Sequence, residues 1–270
     1  MGCGATKTIP KEDFPAQRFS KDLVDFLHHK CCLSEHDLNE LYHSFRIMCS
    51  CPPLCPQEGR ASFKQYCKYL YFEKMGRFLR TMAVYFSGDQ ETLTFPEFAV
   101  MMNFFNSLSE KSLAEFLFEI IHDDHYIAAA LGGVETGAGV GAGLTSVIAD
   151  DTTEHVIHQL FGGAWGNEAK IAKILAHMRP QGQGQGQGQE QKDFPPCDSF
   201  VKYCLSNRSL LHMPVTHQLA LRGKIVSEQF WIGRKPVIPV RSCAALRREL
   251  LHLEAMSIDF MATPLEFSIS

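Results

Sequence analysis

Apolar residues recur along this chain at three- and four-residue intervals, the period of a helix with one face turned inward. Leu23, Phe26 and Leu27 begin the pattern after Ser20. A second stripe of Leu38, Leu41, Tyr42 and Phe45 follows Ser34, a good helix cap, with Asp37 placed to imitate a capping box. Cys49 to Arg60 holds three prolines and a glycine and is predicted as a loop. Further helices are predicted from Ser62 through Phe63, Tyr66 and Leu70, over Met75 to Tyr85, over Phe95 to Phe105, and over Lys111 to His122. Ser87 to Thr92 is a turn between two of them. Later come Glu154 to His177, broken at Gly162-Gly163, then Asp198 to Leu205, Val215 to Trp231 and Ala244 to Ala255. No stretch alternates like a strand beyond a few residues. The predicted class is all-α.

Composition narrows the field. With 270 residues, 45% of them hydrophobic and 21% charged, the chain has the makings of a real core. A formal charge of −4 argues against nucleic acid as a partner, since such binders carry a basic face. No window is apolar and uninterrupted enough to span a bilayer; Ile127 to Ala149 comes nearest but is crowded with glycine and carries Glu135. Ten cysteines would suggest a disulfide scaffold in a small secreted chain, but no secretory leader is visible. They are expected to be free thiols in a reducing compartment.

The first residues carry a specific signal. Met1-Gly2-Cys3 with Thr6 fits the N-myristoylation pattern, in which Gly2 is acylated once Met1 is removed. Cys3 lies beside it, where a bilayer-held thiol can accept a palmitoyl group. One myristoyl chain binds membranes with K of about 10⁴ M⁻¹, so the second lipid is what makes an anchor stable. The expected location is therefore the cytoplasmic face of a membrane, reached through lipid.

Several segments resemble the helix-loop-helix units of EF-hand proteins, in particular the calcineurin B and neuronal calcium sensor group. Leu33 to Phe45 looks like the entering helix of a first hand, and Thr92-Leu93-Thr94-Phe95-Pro96-Glu97-Phe98 like a loop end and its exit helix. Leu113 to Ile120 resembles the entering helix of a third hand, and Asp198 to Cys204 the exit helix of a fourth. The resemblance covers roughly residues 20 to 231, with insertions. It implies a flexible acylated arm over 1–18, a first EF-hand-like pair over 19–130 and a Gly-rich connector over 131–149. A degenerate second pair over 150–232 would be interrupted by a Gln-Gly insertion at 181–190, with a tail over 233–270 holding one amphipathic helix. Gly132 to Gly143 and the Gln-Gly repeat are too flexible or too polar to join a core.

Ca²⁺ is the cofactor such a resemblance implies, and the loop chemistry counts against it. A 12-residue loop needs oxygen ligands at its odd positions from 1 to 9, a bidentate Glu at 12 and Gly at 6. Setting Glu97 at the twelfth position puts Phe86 at the first, Gly88 at the third, Gln90 at the fifth and Glu91 at the sixth. Setting Gly59 at the sixth puts Leu54 at the first, Pro56 at the third and Gln65 at the twelfth. Asp89, Glu91 and Glu97 remain as carboxylates for an irregular site, and otherwise form a solvated loop. Asp123 and Asp124 offer carboxylates in the third hand, but Tyr126-Ile127 follows too early for a full loop.

Other chemistry is weaker. Cys49, Cys51 and Cys55, with Cys31 and Cys32, could give soft zinc ligands, but no C-x₂-C pair of pairs exists. His122 and His125 stand three apart at a helix end and could share a metal or simply belong to a polar loop. The run Gly137 to Gly143 lacks the Gly-Lys-Ser/Thr ending of a phosphate loop and is a connector. No ordered signature of nucleophilic catalysis appears, and the chain is read as a non-enzyme. Phe98, Met101, Met102, Phe105, Phe116 and Phe118 are candidates for a core or for a groove that takes a partner helix. The helix after Pro214 is either plain core or the cover of that groove. The sequence reading is thus a membrane-anchored adaptor or regulatory protein, largely calcium-independent, with a calcium sensor of irregular loops as the alternative.

Overall fold

The computed structural model describes residues 13–52, 55, 59–70, 76–87, 91–122, 197–232, 234 and 239–261. These are predominantly helical. The Gly-rich connector, the Glu154 to His177 region and the Gln-Gly repeat lie outside them, as do Gly2, Cys3, Asp89, Asp123 and Asp124.

The end of the expected flexible arm is docked rather than free. Phe14 is buried, its N–H donates to Asn39 Oδ1 at 2.6 Å, and its ring meets Phe19 and Phe95 at 5.3 and 5.1 Å. A single aromatic side chain removed from water is worth roughly 1.5–3 kcal/mol, which is why residues 13–18 are not loose.

Helix α1 (Lys21–Asp25) begins where Ser20 Oγ accepts the Leu23 N–H, and widens into a π-helical turn over Phe26–Lys30. Cys32 then takes φ 50 and the Leu33 N–H reaches back to Leu27 O at 3.1 Å, a left-handed helix stop made without glycine. Helix α2 (Glu35–Cys49) starts with the expected capping box: Ser34 Oγ accepts the Asp37 N–H, and Asp37 accepts the Ser34 N–H at 2.9 Å. Its face of Leu38, Leu41, Phe45 and Met48 is buried.

Two strands, absent from the sequence reading, come next. β1 (Ala61–Ser62) runs directly into α3 (Phe63–Tyr69), and β2 (Thr92–Leu93) leads through Thr94 into α5 (Phe95–Ser107). They pair antiparallel, with Ala61 opposite Leu93 and Ser62 opposite Thr92. A pattern two residues long is too short to show alternation, so periodicity alone misses it. Helix α4 (Gly76–Phe86) lies between α3 and β2 in the chain, and α6 (Glu110–His122) follows α5.

Helix α5 is the centre of the molecule. All 13 of its residues are buried, because α2, α4 and a helix from the C-terminal part each pack against it. Phe95 meets Tyr42 and Phe45, while Phe104 meets Phe86 and Phe116.

The C-terminal part adds α7 (Cys197–Ser206), packed mainly on α6, then α8 (His212–Lys224), α9 (Glu228–Trp231) and α10 (Cys243–Met261). The single helix expected over Val215 to Trp231 is two. Val226 adopts φ 68, Ser227 caps α9, and the Trp231 indole donates to Ile225 O at 3.0 Å across the bend. The first of the two begins at His212, ahead of Pro214. The last helix extends past the expected Ala255, and its Cys243, Leu246 and Leu250 join the core. Among the described residues, no helix is long and apolar enough to cross a membrane.

Candidate functional site

The ribbon brings the described ends of two connecting segments together, and the protein's own groups bond to them. Gly59, assigned to the turning position, has φ 73, a conformation that costs a residue with a Cβ even though the space around it is open. Two residues on, β1 begins; Ser62 then caps α3, with Gln65 completing a capping box. Gln65 Oε1 accepts the Ser62 N–H at 2.9 Å, while Nε2 donates to Cys49 O at 2.7 Å and Cys51 O at 3.0 Å.

The second loop repeats the arrangement with different atoms. Thr94 Oγ1 accepts the Glu97 N–H, and Glu97 Oε2 accepts the Thr94 N–H at 2.8 Å. Ser87 Oγ donates to Thr92 O at 2.7 Å, and Arg60 Nη1 donates to Thr92 Oγ1 at 2.9 Å, tying one loop to the other. The Thr94 hydroxyl in turn donates to Glu254 on α10.

These bonds bear on the expected ligands. Glu97 is buried, and its Oε2 takes part in the cap. Glu91 is exposed, and its carbonyl accepts the Phe63 N–H at 3.0 Å. Thr92 O, the oxygen that the expected calcium loop would offer from its seventh position, accepts a hydroxyl proton from Ser87. Among the described residues, no three His, Cys, Asp or Glu side chains come together as a metal-holding group. The nine described cysteines are unbridged. Burial pushes the Cys49 thiol up to about 12, with Cys55 and Cys51 adding to the shift, so it is a poor source of the thiolate that zinc requires. Cys31 and Cys204 are raised to about 12 by burial as well, with Cys32 reinforcing the effect at Cys31.

The apolar candidates gather around α5. Phe98, Met101, Met102, Phe105 and Phe116 are fully buried, and Phe118 is half-buried with its ring 5.6 Å from Phe200. In this conformation they form core rather than an open groove. What covers them is the chain itself. Gln218 Nε2 on α8 donates to Phe105 O and Leu108 O at 2.7 and 2.9 Å, and Arg222 Nε donates to Asn106 O at 3.0 Å. Those carbonyls belong to the end of α5, where a helix leaves its acceptors unsatisfied.

A second tie holds the C-terminal part to α2. Arg234 pairs with Asp37, lies over the Phe230 ring at 4.1 Å, and reaches Asn103 Oδ1 at 3.4 Å. Burial acts to raise the Asp37 carboxyl, but the bonds from Arg234 and Ser34 outweigh it and leave it below its ordinary value.

The sequence reading met Gln65 only as a twelfth loop position and Ser87 only as the start of a turn, and it did not name Arg222, Arg234 or Glu254. A signal existed for Gln65, since Ser62-x-x-Gln65 has the spacing of a capping box just as Thr94-x-x-Glu97 does. Ser87 reaches only five residues along the chain to Thr92 O, whereas Arg222, Arg234 and Glu254 act across long stretches of chain and leave no local mark. No protein-family model, curated protein or solved structure matches this chain.

Proposed function

We propose that this protein is an EF-hand-like adaptor or regulatory subunit, held at a membrane through acyl groups on Gly2 and Cys3, that takes a partner helix without needing calcium. The observation that carries the reading is the ribbon. Two helix-loop-helix units, α2–α3 and α4–α5, meet through residues Ala61 and Leu93, which occupy equivalent places in the two loops. Such a ribbon is the hallmark of paired hands in the group this chain resembles. Calcium independence is supported by the occupied oxygens: Glu97 Oε2 and Thr92 O both accept bonds from the protein.

The partner helix fits the seat now filled by α8. Gln218 and Arg222 of that helix bond to the carbonyls of Phe105, Leu108 and Asn106 at the end of α5, and Phe98, Met101 and Phe105 are buried residues of α5 itself. In the resembled group a C-terminal helix covers or vacates such a groove. A partner presenting an amphipathic helix would compete for it.

Expression in cells with an alkyne-tagged myristate tests the anchor: wild type should be labelled and sediment with vesicles, and Gly2→Ala should do neither. Calorimetry with Ca²⁺ tests the rest. Silence is expected, and a micromolar heat would overturn the calcium-independent reading in favour of a sensor. One observation favours that alternative, namely that a count begun at Phe86 keeps Glu97 in the twelfth place.

A further inference from the structure

We infer that α3 supplies an internal substitute for a cation, clasping the stretch of chain that leaves α2. The stretch is Cys49 to Pro52. Its carbonyls at 49, 51 and 52 all receive donors from one face of α3: Gln65 Nε2 to Cys49 O at 2.7 Å and to Cys51 O at 3.0 Å, and Lys68 Nζ to Pro52 O at 2.7 Å. Gln65 and Lys68 stand three apart, which puts them on the same side of the helix.

Three features make this a clasp rather than incidental surface bonding. Gln65 is fully buried, so its amide has left water and depends on these partners. Its orientation is also determined. Oε1 accepts the Ser62 N–H, so both amide protons are free to face the two carbonyls; the flipped amide would set oxygen against two oxygens. Finally, Cys49 is the last residue of α2, where unsatisfied carbonyls and the helix dipole concentrate negative charge. Converging carbonyls at a helix end call for a positive group, and here a buried amide and an ammonium provide it.

The same geometry says what a change of one atom would do. Gln65→Glu keeps the shape and the Ser62 bond but replaces the donor with an anionic oxygen facing two carbonyls. That cluster of oxygens would need a divalent cation. The clasp rests on the helix-loop-helix reading above only for the comparison with an ion. Vesicle binding that failed would leave it standing, and a failed clasp would leave the adaptor standing.

The test uses the full chain and thermal melts in chelator or in millimolar CaCl₂. Wild type should melt at one temperature in both. Gln65→Met, which neither donates nor accepts, should fall by about 5–10 °C in both. Gln65→Glu should fall at least as far in chelator and recover about half or more of the loss in CaCl₂. A Gln65→Glu melt unchanged from wild type in chelator, or calcium recovery equal to that of Gln65→Met, would overturn the clasp. Should Gln65→Glu be insoluble, wild type still decides the matter. Its Gln65 side-chain amide protons, assigned by their loss in Gln65→Met, should exchange about a hundredfold slower than a free amide, and unprotected exchange would refute the inference.

Discussion

Ala61 and Leu93 face each other across the two-residue ribbon, and both are fully buried. Each lies one residue ahead of its strand's capping residue or of the turn toward it, so the pair sets where α3 and α5 start as well as how the loops align. Little backbone pairing is available in so short a ribbon. The Leu93 side chain must therefore supply much of what keeps the two units in register.

Leu93→Ala is accordingly expected to cost about 2–5 kcal/mol, the range for a large buried aliphatic reduced to a methyl group. Urea denaturation measures it directly. Leu219→Ser is the control: Leu219 is 53% exposed on α8, and its loss should stay within about 0.5 kcal/mol.

Thr94 does two jobs that a sequence shows only as one. It caps α5, and its hydroxyl proton goes to Glu254 of α10. Ser34→Ala removes a cap alone and should cost about 1 kcal/mol. Thr94→Ala should cost about 2 kcal/mol because it also frees α10, whereas Thr94→Ser should cost little. A double-mutant cycle of Thr94→Ala with Glu254→Gln should return a coupling of at least about 0.5 kcal/mol; additivity would show that the contact carries no energy.

The helical stripes were legible because burial and period coincide: Leu38, Leu41 and Phe45 could face only one way on a helix. The Ser34–Asp37 cap was legible for the same local reason. Phe14 was not, since an isolated aromatic after Asp13 has no period to belong to. The break at Val226 was hidden because Val215, Leu219, Leu221, Ile225 and Phe230 keep an apolar rhythm through it, and the bend shows in the positive φ of Val226, the Ser227 cap and the Trp231–Ile225 bond. Five of the six apolar candidates are buried and Phe118 is half-buried, and spacing alone could not tell core from groove. That distinction depends on α8, more than a hundred residues away in the chain, where Gln218 reaches Phe105 O.

Arg234 ties the C-terminal helices to the first half through a geometry that lysine cannot reproduce. Its guanidinium pairs with Asp37 while its central carbon lies 4.1 Å from the centre of the Phe230 ring. Arg234→Lys keeps the charge but loses the ring contact and the fork, and should cost about 1–2 kcal/mol. Arg234→Ala strands a buried carboxylate and should cost about 2–3 kcal/mol. Asp37→Asn in the Arg234→Ala background should recover part of that loss, because the neutral amide no longer needs a cation. Failure to recover would mean that the pair adds geometry but no electrostatic stabilisation.

Acid should weaken the protein in two separate stages. His217 is fully buried on α8, and burial lowers it from 6.5 to about 4. The unfolded chain therefore binds the extra proton first, and stability contributed by the neutral ring is complete above about pH 6.5 and lost as pH falls toward 4. The shift corresponds to about 3 kcal/mol once that window is crossed. Asp37 is held below its ordinary value, so its contribution survives this stage and disappears only as pH falls through that lower folded value. Urea midpoints measured at pH 7, 5.5 and 4, and again in stronger acid below the ordinary carboxylate range, should decline steadily in wild type. In His217→Gln the decline between 7 and 4 should shrink, leaving only a steeper loss at stronger acid, whereas in Asp37→Asn that late loss should be the one to diminish. An unchanged slope in His217→Gln would show that the first stage does not come from the buried neutral imidazole and has to arise elsewhere in the chain.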